Sequence, residues 1–133
     1  MRWIAAIALA GIALCATCAA DAAKLGGARR NELPRVLRGT WEIGPELCKL
    51  PGNGDSDSRI VIEARKINGY EHWSQILAVT QISTVPLAWK VRRRDDAQGD
   101  IFEVEAIFSI TSEDQGSLVI IDSSQDVSYR RCT

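Results

Sequence analysis

Between residues 101 and 111 apolar and polar side chains alternate almost without a break. Phe102, Val104, Ala106, Phe108 and Ile110 fall on one face; Glu103, Glu105, Ser109 and Thr111 fall on the other, together with Ile101 and Ile107. A period of two marks a half-buried β-strand, because successive side chains leave a pleated backbone on opposite sides. Such a strand needs partners along its edges and a second apolar layer against its inner face. The neighbouring stretches offer both. Residues 40–43 are β-branched and aromatic and stop at Gly44-Pro45, where proline cannot donate to a ladder. Residues 59–67 alternate, with Ile60, Ile62 and Ala64 on one side, and the following Asn68-Gly69 favours a type I′ hairpin turn that sends a return strand off from Tyr70. Residues 87–93 place Leu87, Trp89 and Val91 on one face, before a turn over 95–100 around Gly99. Residues 117–122 and 126–132 complete the set; in the last, Val127, Tyr129 and Arg131 oppose Ser128 and Arg130.

Residues 70–85 carry two signals. Tyr70, Trp73, Ile76 and Leu77 sit at helical spacing, whereas Ile76, Val79, Thr80, Ile82, Thr84 and Val85 prefer strands. The hairpin signal before them favours one or two extended pieces with a bulge; a helix is the alternative. The expectation is therefore an all-β domain over residues 32–133, a small antiparallel barrel or sandwich of about seven strands. A short helical turn over 32–37, capped by Asn31 and ended by Gly39, puts Leu33, Val36 and Leu37 on one face and can close one end of a barrel.

The beginning of the chain has the pattern of an export signal. Met1-Arg2 is basic, residues 3–14 are almost wholly apolar, and Ala20-Asp21-Ala22 fits a small-x-small cleavage site. The apolar run is shorter than the roughly 20 residues that span a bilayer, so no transmembrane segment is expected in the mature chain, an uncleaved anchor helix being the alternative. Neither Cys15, after Leu14, nor Cys18, after Thr17, fits a lipid-attachment site. Residues 1–22 are thus expected to be a signal peptide, and 23–31, with two glycines and two arginines but only Leu25 as a bulky apolar group, a flexible arm. The expected location is periplasmic or secreted. Cleavage leaves Cys48 and Cys132 as the only cysteines, in a compartment that permits disulfides. In a closed barrel the first and last strands are neighbours, which makes these two a pair. The formal net charge of −1 gives no global affinity for nucleic acid.

No stretch carries a recognisable set of catalytic residues or a cofactor motif. His72 is the only histidine. Asn53-Gly54-Asp55-Ser56-Asp57 lacks both the glycine and the closing glutamate of a calcium loop. Glu103 and Glu105 lie on one outward face rather than across a cleft. Lys90, Arg92 and Arg94 share a strand face that can grip an anionic partner or simply protect an edge; with Trp73 they form the candidate binding face. Trp41, Trp73 and Trp89 are expected to pack in the core, with a binding wall as the alternative.

Gly39-Thr40-Trp41 ahead of the first strand resembles the Gly-x-Trp start of the lipocalins and their calycin relatives. That resemblance implies a small barrel whose last strand sends an arginine, here Arg130 or Arg131, over Trp41. The wider layout, Gly-Thr-Trp, Cys48, Gly69-Tyr70-Glu71, Trp89-Lys90-Val91 and Tyr129-Arg130-Arg131-Cys132, resembles small exported bacterial β proteins without an assigned activity. A weaker similarity is to periplasmic metalloprotease inhibitors, whose N-terminal arm enters the protease; residues 23–30 match that arm in position. The functional expectation is a non-enzymatic binding module of the cell envelope that takes a protein or a small apolar ligand, without a cofactor. Inhibition of a hydrolase, of protease or lysozyme type, through the arm or a barrel-end loop is the alternative.

Overall fold

A computed structural model describes residues 29–45 and 48–133. It contains eight strands in one closed antiparallel barrel, each paired with the next in sequence and the last with the first. The strands are β1 (Gly39–Ile43), β2 (Ile60–Ile62), β3 (Lys66–Asn68), β4 (His72–Thr84), β5 (Leu87–Ala97), β6 (Asp100–Ile110), β7 (Ser117–Ile121) and β8 (Asp126–Arg131). The barrel closes where Trp41, Glu42 and Ile43 pair with Arg131, Arg130 and Tyr129. Among the described residues one 3-10 turn, Arg35–Leu37, precedes β1. The expected signal peptide and the arm as far as residue 28 lie outside the described residues.

The count is eight rather than about seven because residues 59–67 form two strands. The chain turns between Ile62 and Lys66, with the Glu63 amide donating to the Lys66 carbonyl at 2.8 Å. Ile62 and Ile67 become direct partners on the inner face. The turn preserves the alternation on both sides of it, so period alone could not reveal the break. Asn68-Gly69 is accordingly not the hairpin turn. Asn68 still pairs with Trp73, and the turn falls on Tyr70-Glu71, closed by the Gly69 amide donating to the His72 carbonyl at 2.9 Å.

Within residues 70–85 the chain forms one strand, β4 (His72–Thr84), with register shifts against β5 between Ile76 and Ala78 and again between Gln81 and Ser83. Such bulges bend a strand around a barrel, and they produce the local spacing that imitates a helix. β5 runs on to Ala97, which reduces the expected turn over 95–100 to Gln98-Gly99, both at positive φ. Asn31 does not cap the helical turn. Pro34 holds the N-cap position with no side-chain bond, because the residue before a proline is pushed out of the helical region. Arg30, at the end of the arm, is not loose: its amide and carbonyl both pair with Val79 on β4, at 3.0 and 2.6 Å.

The end of the barrel where β1 begins is sealed; it is called the lower end here. Leu33, Leu37 and Trp41 are fully buried there, and the Trp41 Nε1 donates to the Leu37 carbonyl at 2.9 Å. Arg131, not Arg130, covers the indole, with its guanidinium carbon 4.2 Å from the ring centroid. Period two decides between the two arginines, since Arg131 lies directly opposite Trp41 across the strand pair. Its three nitrogens donate to the carbonyls of Arg38 at 2.9 Å, Gln115 at 3.2 Å and Val36. Gly39 is required on two counts. Its φ of +133° disfavours any L side chain, and a Cβ there would come 3.1 Å from the Arg131 Nη1.

Cys48 and Cys132 form a disulfide, with Cα atoms 4.3 Å apart across 84 positions of sequence. Around it the Thr133 amide donates to the Cys48 carbonyl at 3.0 Å and the Leu50 amide to the Thr133 carbonyl at 3.2 Å, so the long β1–β2 connection is tied to the end of the chain.

Candidate functional site

The opposite, upper end of the barrel is not filled. The apolar plug of Trp41, Leu33 and Leu37 belongs to the lower half, and the upper half contains a cavity of about 480 Å³ open toward the β7–β8 turn. Its apolar lining comes from Ile60, Ile67, Phe102, Ile120 and Val127. Phe102 continues the inward face of β6 beyond Phe108, and it is 49% exposed on the cavity lining.

The polar lining is a buried ionic cluster. Arg93 follows Val91 on the inward face of β5 and is only 9% exposed. Its Nε donates to both oxygens of Asp95, at 2.9 and 3.0 Å, and its Nη2 to Oδ2 of Asp122 at 3.2 Å. Beneath it the guanidinium carbon lies 5.9 Å from the Phe108 ring centroid. Asp122 opens the β7–β8 turn and organises it. Its Oδ1 accepts the Ser124 amide at 2.9 Å, the Ser124 hydroxyl at 2.7 Å and the Gln125 amide at 3.1 Å. Burial pushes the Asp122 carboxyl up, but the bonds from Ser124 and Gln125 and the Arg93 charge more than offset it, and the group sits below its ordinary value. Tyr129, on the same lining, is moved the other way: burial raises its phenol, with a smaller lowering from Arg93, so it stays neutral.

A carboxyl whose folded pKa is below its unfolded one contributes stability above the unfolded value, and that contribution fades as pH falls through the folded value. Asp122→Asn is therefore expected to lower stability by about 1.5–3 kcal/mol at pH 7, the range for hydrogen bonds to charged groups. Urea unfolding of both proteins at pH 7 and pH 2 checks it; the gap should shrink at the lower pH. An equal gap at both values would rule out the ionised carboxylate as its source.

No family model, curated protein or solved structure matches the chain. The site therefore rests on its geometry.

The residues singled out in the sequence distribute as follows. Lys90, Arg92 and Arg94 do share the outer face of β5, but two of them are engaged by β6, Lys90 with Glu105 at 3.6 Å and Arg94 with Glu103 at 3.3 Å. Trp73 is not a core residue. Ser74 takes the inward position on β4, which leaves Trp73 outside and 39% exposed, with the Lys66 amine 5.4 Å from its ring centroid. Trp41 and Trp89 are buried as expected. His72 is exposed at the rim of the cavity, its Nδ1 2.8 Å from the Tyr70 carbonyl. The 53–58 loop makes a local turn, with the Asp55 amide donating to Oδ1 of Asn53 at 3.1 Å. Among the described residues one group has metal-donor spacing, Glu42, Cys48 and Cys132, and its two sulfurs are joined to each other.

Arg93, Asp95 and Asp122 were missed. The signal was available in the strand register: Leu87, Trp89 and Val91 face inward, and two more steps of the same parity put Arg93 and Asp95 inside. Ending the strand at residue 93 and placing a turn over 95–100 concealed it.

Proposed function

We propose that the protein is a non-enzymatic binding module, exported to the periplasm or beyond, that holds a small ligand in the upper mouth of its barrel. One observation carries this reading: Leu33, Leu37 and Trp41 fill the barrel interior at the lower end, where a cleft of about 460 Å³ is lined largely by residues 30–38 ahead of β1, whereas the upper cavity is lined by the strand residues Ile60, Ile67 and Ile120 of the barrel itself. A volume of about 480 Å³ lies within the roughly 300–1,000 Å³ typical of small-molecule sites, and an apolar lining with a few fixed polar groups is their usual composition. The Arg93–Asp95–Asp122 cluster supports binding over turnover, since its members already satisfy one another and form a rigid polar floor. The N-terminal sequence pattern and the disulfide support export. Eight strands in simple succession, a turn below and an arginine over the first tryptophan support kinship with the calycins.

The neutral dye N-phenyl-1-naphthylamine tests the reading. Saturable binding at one dye per protein is expected, visible as enhanced dye fluorescence. Val127→Trp, which fills the cavity from its side, is expected to abolish it. Fluorescence that rises without saturation, or persists in a folded Val127→Trp protein, would refute the mouth as the site.

A further inference from the structure

We propose that the upper cavity selects amphiphiles whose head group is a protonated amine. The inference rests on the binding reading above and names the ligand chemistry of the same cavity.

The first observation is a charge imbalance built into the lining. Among the described residues Arg93 is the only Lys or Arg side chain on it, and two carboxylates, Asp95 and Asp122, bracket it within hydrogen-bond distance. The side chains of all three are nearly inaccessible, at 10%, 14% and 5% exposure. The cluster thus carries one negative charge in excess where water screens it poorly. Glu103 also borders the cavity, but it is paired outward with Arg94. Tyr129 stays a neutral phenol. An anionic head would meet an arginine already bracketed by two carboxylates; a cation would cancel the excess.

The second observation is independent of the acids. Ser74 is 4% exposed and lines the cavity, and its hydroxyl bonds to no other described residue. The hydroxyl is not sealed off, since no side-chain polar atom among the described residues is both fully buried and unpartnered; the space open to it is the cavity that it lines. Ser74 is the direct cross-strand partner of Asp95, on the same inward face. A hydroxyl oxygen and a carboxylate side by side are acceptors for an ammonium, which has three donors and no acceptor. Phe102 and Tyr129 add aromatic rings to the lining, and such rings favour cations over anions. Ile60, Ile67 and Val127 then receive the apolar tail.

Three probes of equal chain length separate charge from hydrophobicity: decylamine, protonated at pH 7, decanol and decanoate. Isothermal titration of the whole mature protein is expected to rank them in that order, with decylamine about tenfold tighter than decanol. Asp95→Asn, checked for folding by circular dichroism, should bring decylamine to the level of decanol. The wild-type series stands without the variant should the variant not fold. Decanoate or decanol binding as tightly as decylamine would overturn the charge selection and leave the cavity standing as a binding site. Failure of all three to bind would overturn both.

Discussion

Trp41→Ala is expected to lower the unfolding free energy by about 3–5 kcal/mol, the range for deleting a large buried aromatic side chain. Trp41 is fully buried between Leu33, Leu37 and the β-strand core, so its loss opens a void that the closed barrel cannot collapse to fill. The change also removes the bond to the Leu37 carbonyl and the ring beneath Arg131. Burial already depresses the Arg131 pKa; without the indole that guanidinium keeps its carbonyl partners but loses its cation–π contact. Domains of this size have about 5–15 kcal/mol in total, so the variant should be near its folding threshold. Trp41→Phe keeps a ring over the Leu pair and deletes the indole N–H, and about 1–2 kcal/mol is expected for it. Urea midpoints followed by circular dichroism read both. A Trp41→Ala midpoint equal to the parent would show that the lower plug does not hold the barrel together.

The lower plug was legible in the sequence and the upper cavity was not, and the difference is physical. The plug announces itself through residue types that have few alternatives. A glycine at +133°, a tryptophan two positions inside the first strand and an arginine at the matching end of the last strand suit a closed end. Alternation was similarly reliable in β6, where the inward set of Ala106, Phe108 and Ile110 is buried as expected. It failed where a turn leaves parity unchanged, as between Ile62 and Ile67, and where bulges break it, as along β4. The cavity was hidden for a third reason. Its decisive residues are charged, and a charged residue on a strand is ordinarily taken as solvent-facing. Arg93 and Asp122 are 29 positions apart in sequence, and only closure of the barrel brings them within 3.2 Å. Without the topology nothing marks them as partners; with it, the excess charge on the lining becomes an argument about ligands.

Removing the disulfide is expected to have an effect as large as losing Trp41. In the chain-entropy treatment a bridge across 84 positions stabilises by about 4.5 kcal/mol at 25 °C through restriction of the unfolded chain, and deletions from small exported domains fall at about 2–5 kcal/mol. The folded state loses little besides. β8 remains paired to β1 through Trp41 and Arg131, and the Cys132 amide still donates to the Thr40 carbonyl at 2.9 Å. The long β1–β2 connection should loosen first, because Cys48, Leu50 and Thr133 form its hydrogen-bonded attachment to the end of the chain. The double variant Cys48→Ser, Cys132→Ser is therefore expected to unfold at a markedly lower urea midpoint while its circular dichroism spectrum in water stays that of a β protein. Its cavity, built from β2 to β8 and distant from the bridge in the fold, should still bind the neutral dye whenever the protein is folded. Peptide mapping of the parent without reductant supplies the companion result, recovery of Cys48 and Cys132 in one linked fragment. Two separately alkylated peptides from the native protein would remove the bridge from the account. An unchanged midpoint in the double variant would instead show that the barrel's own pairing of β8 with β1 already restrains the ends.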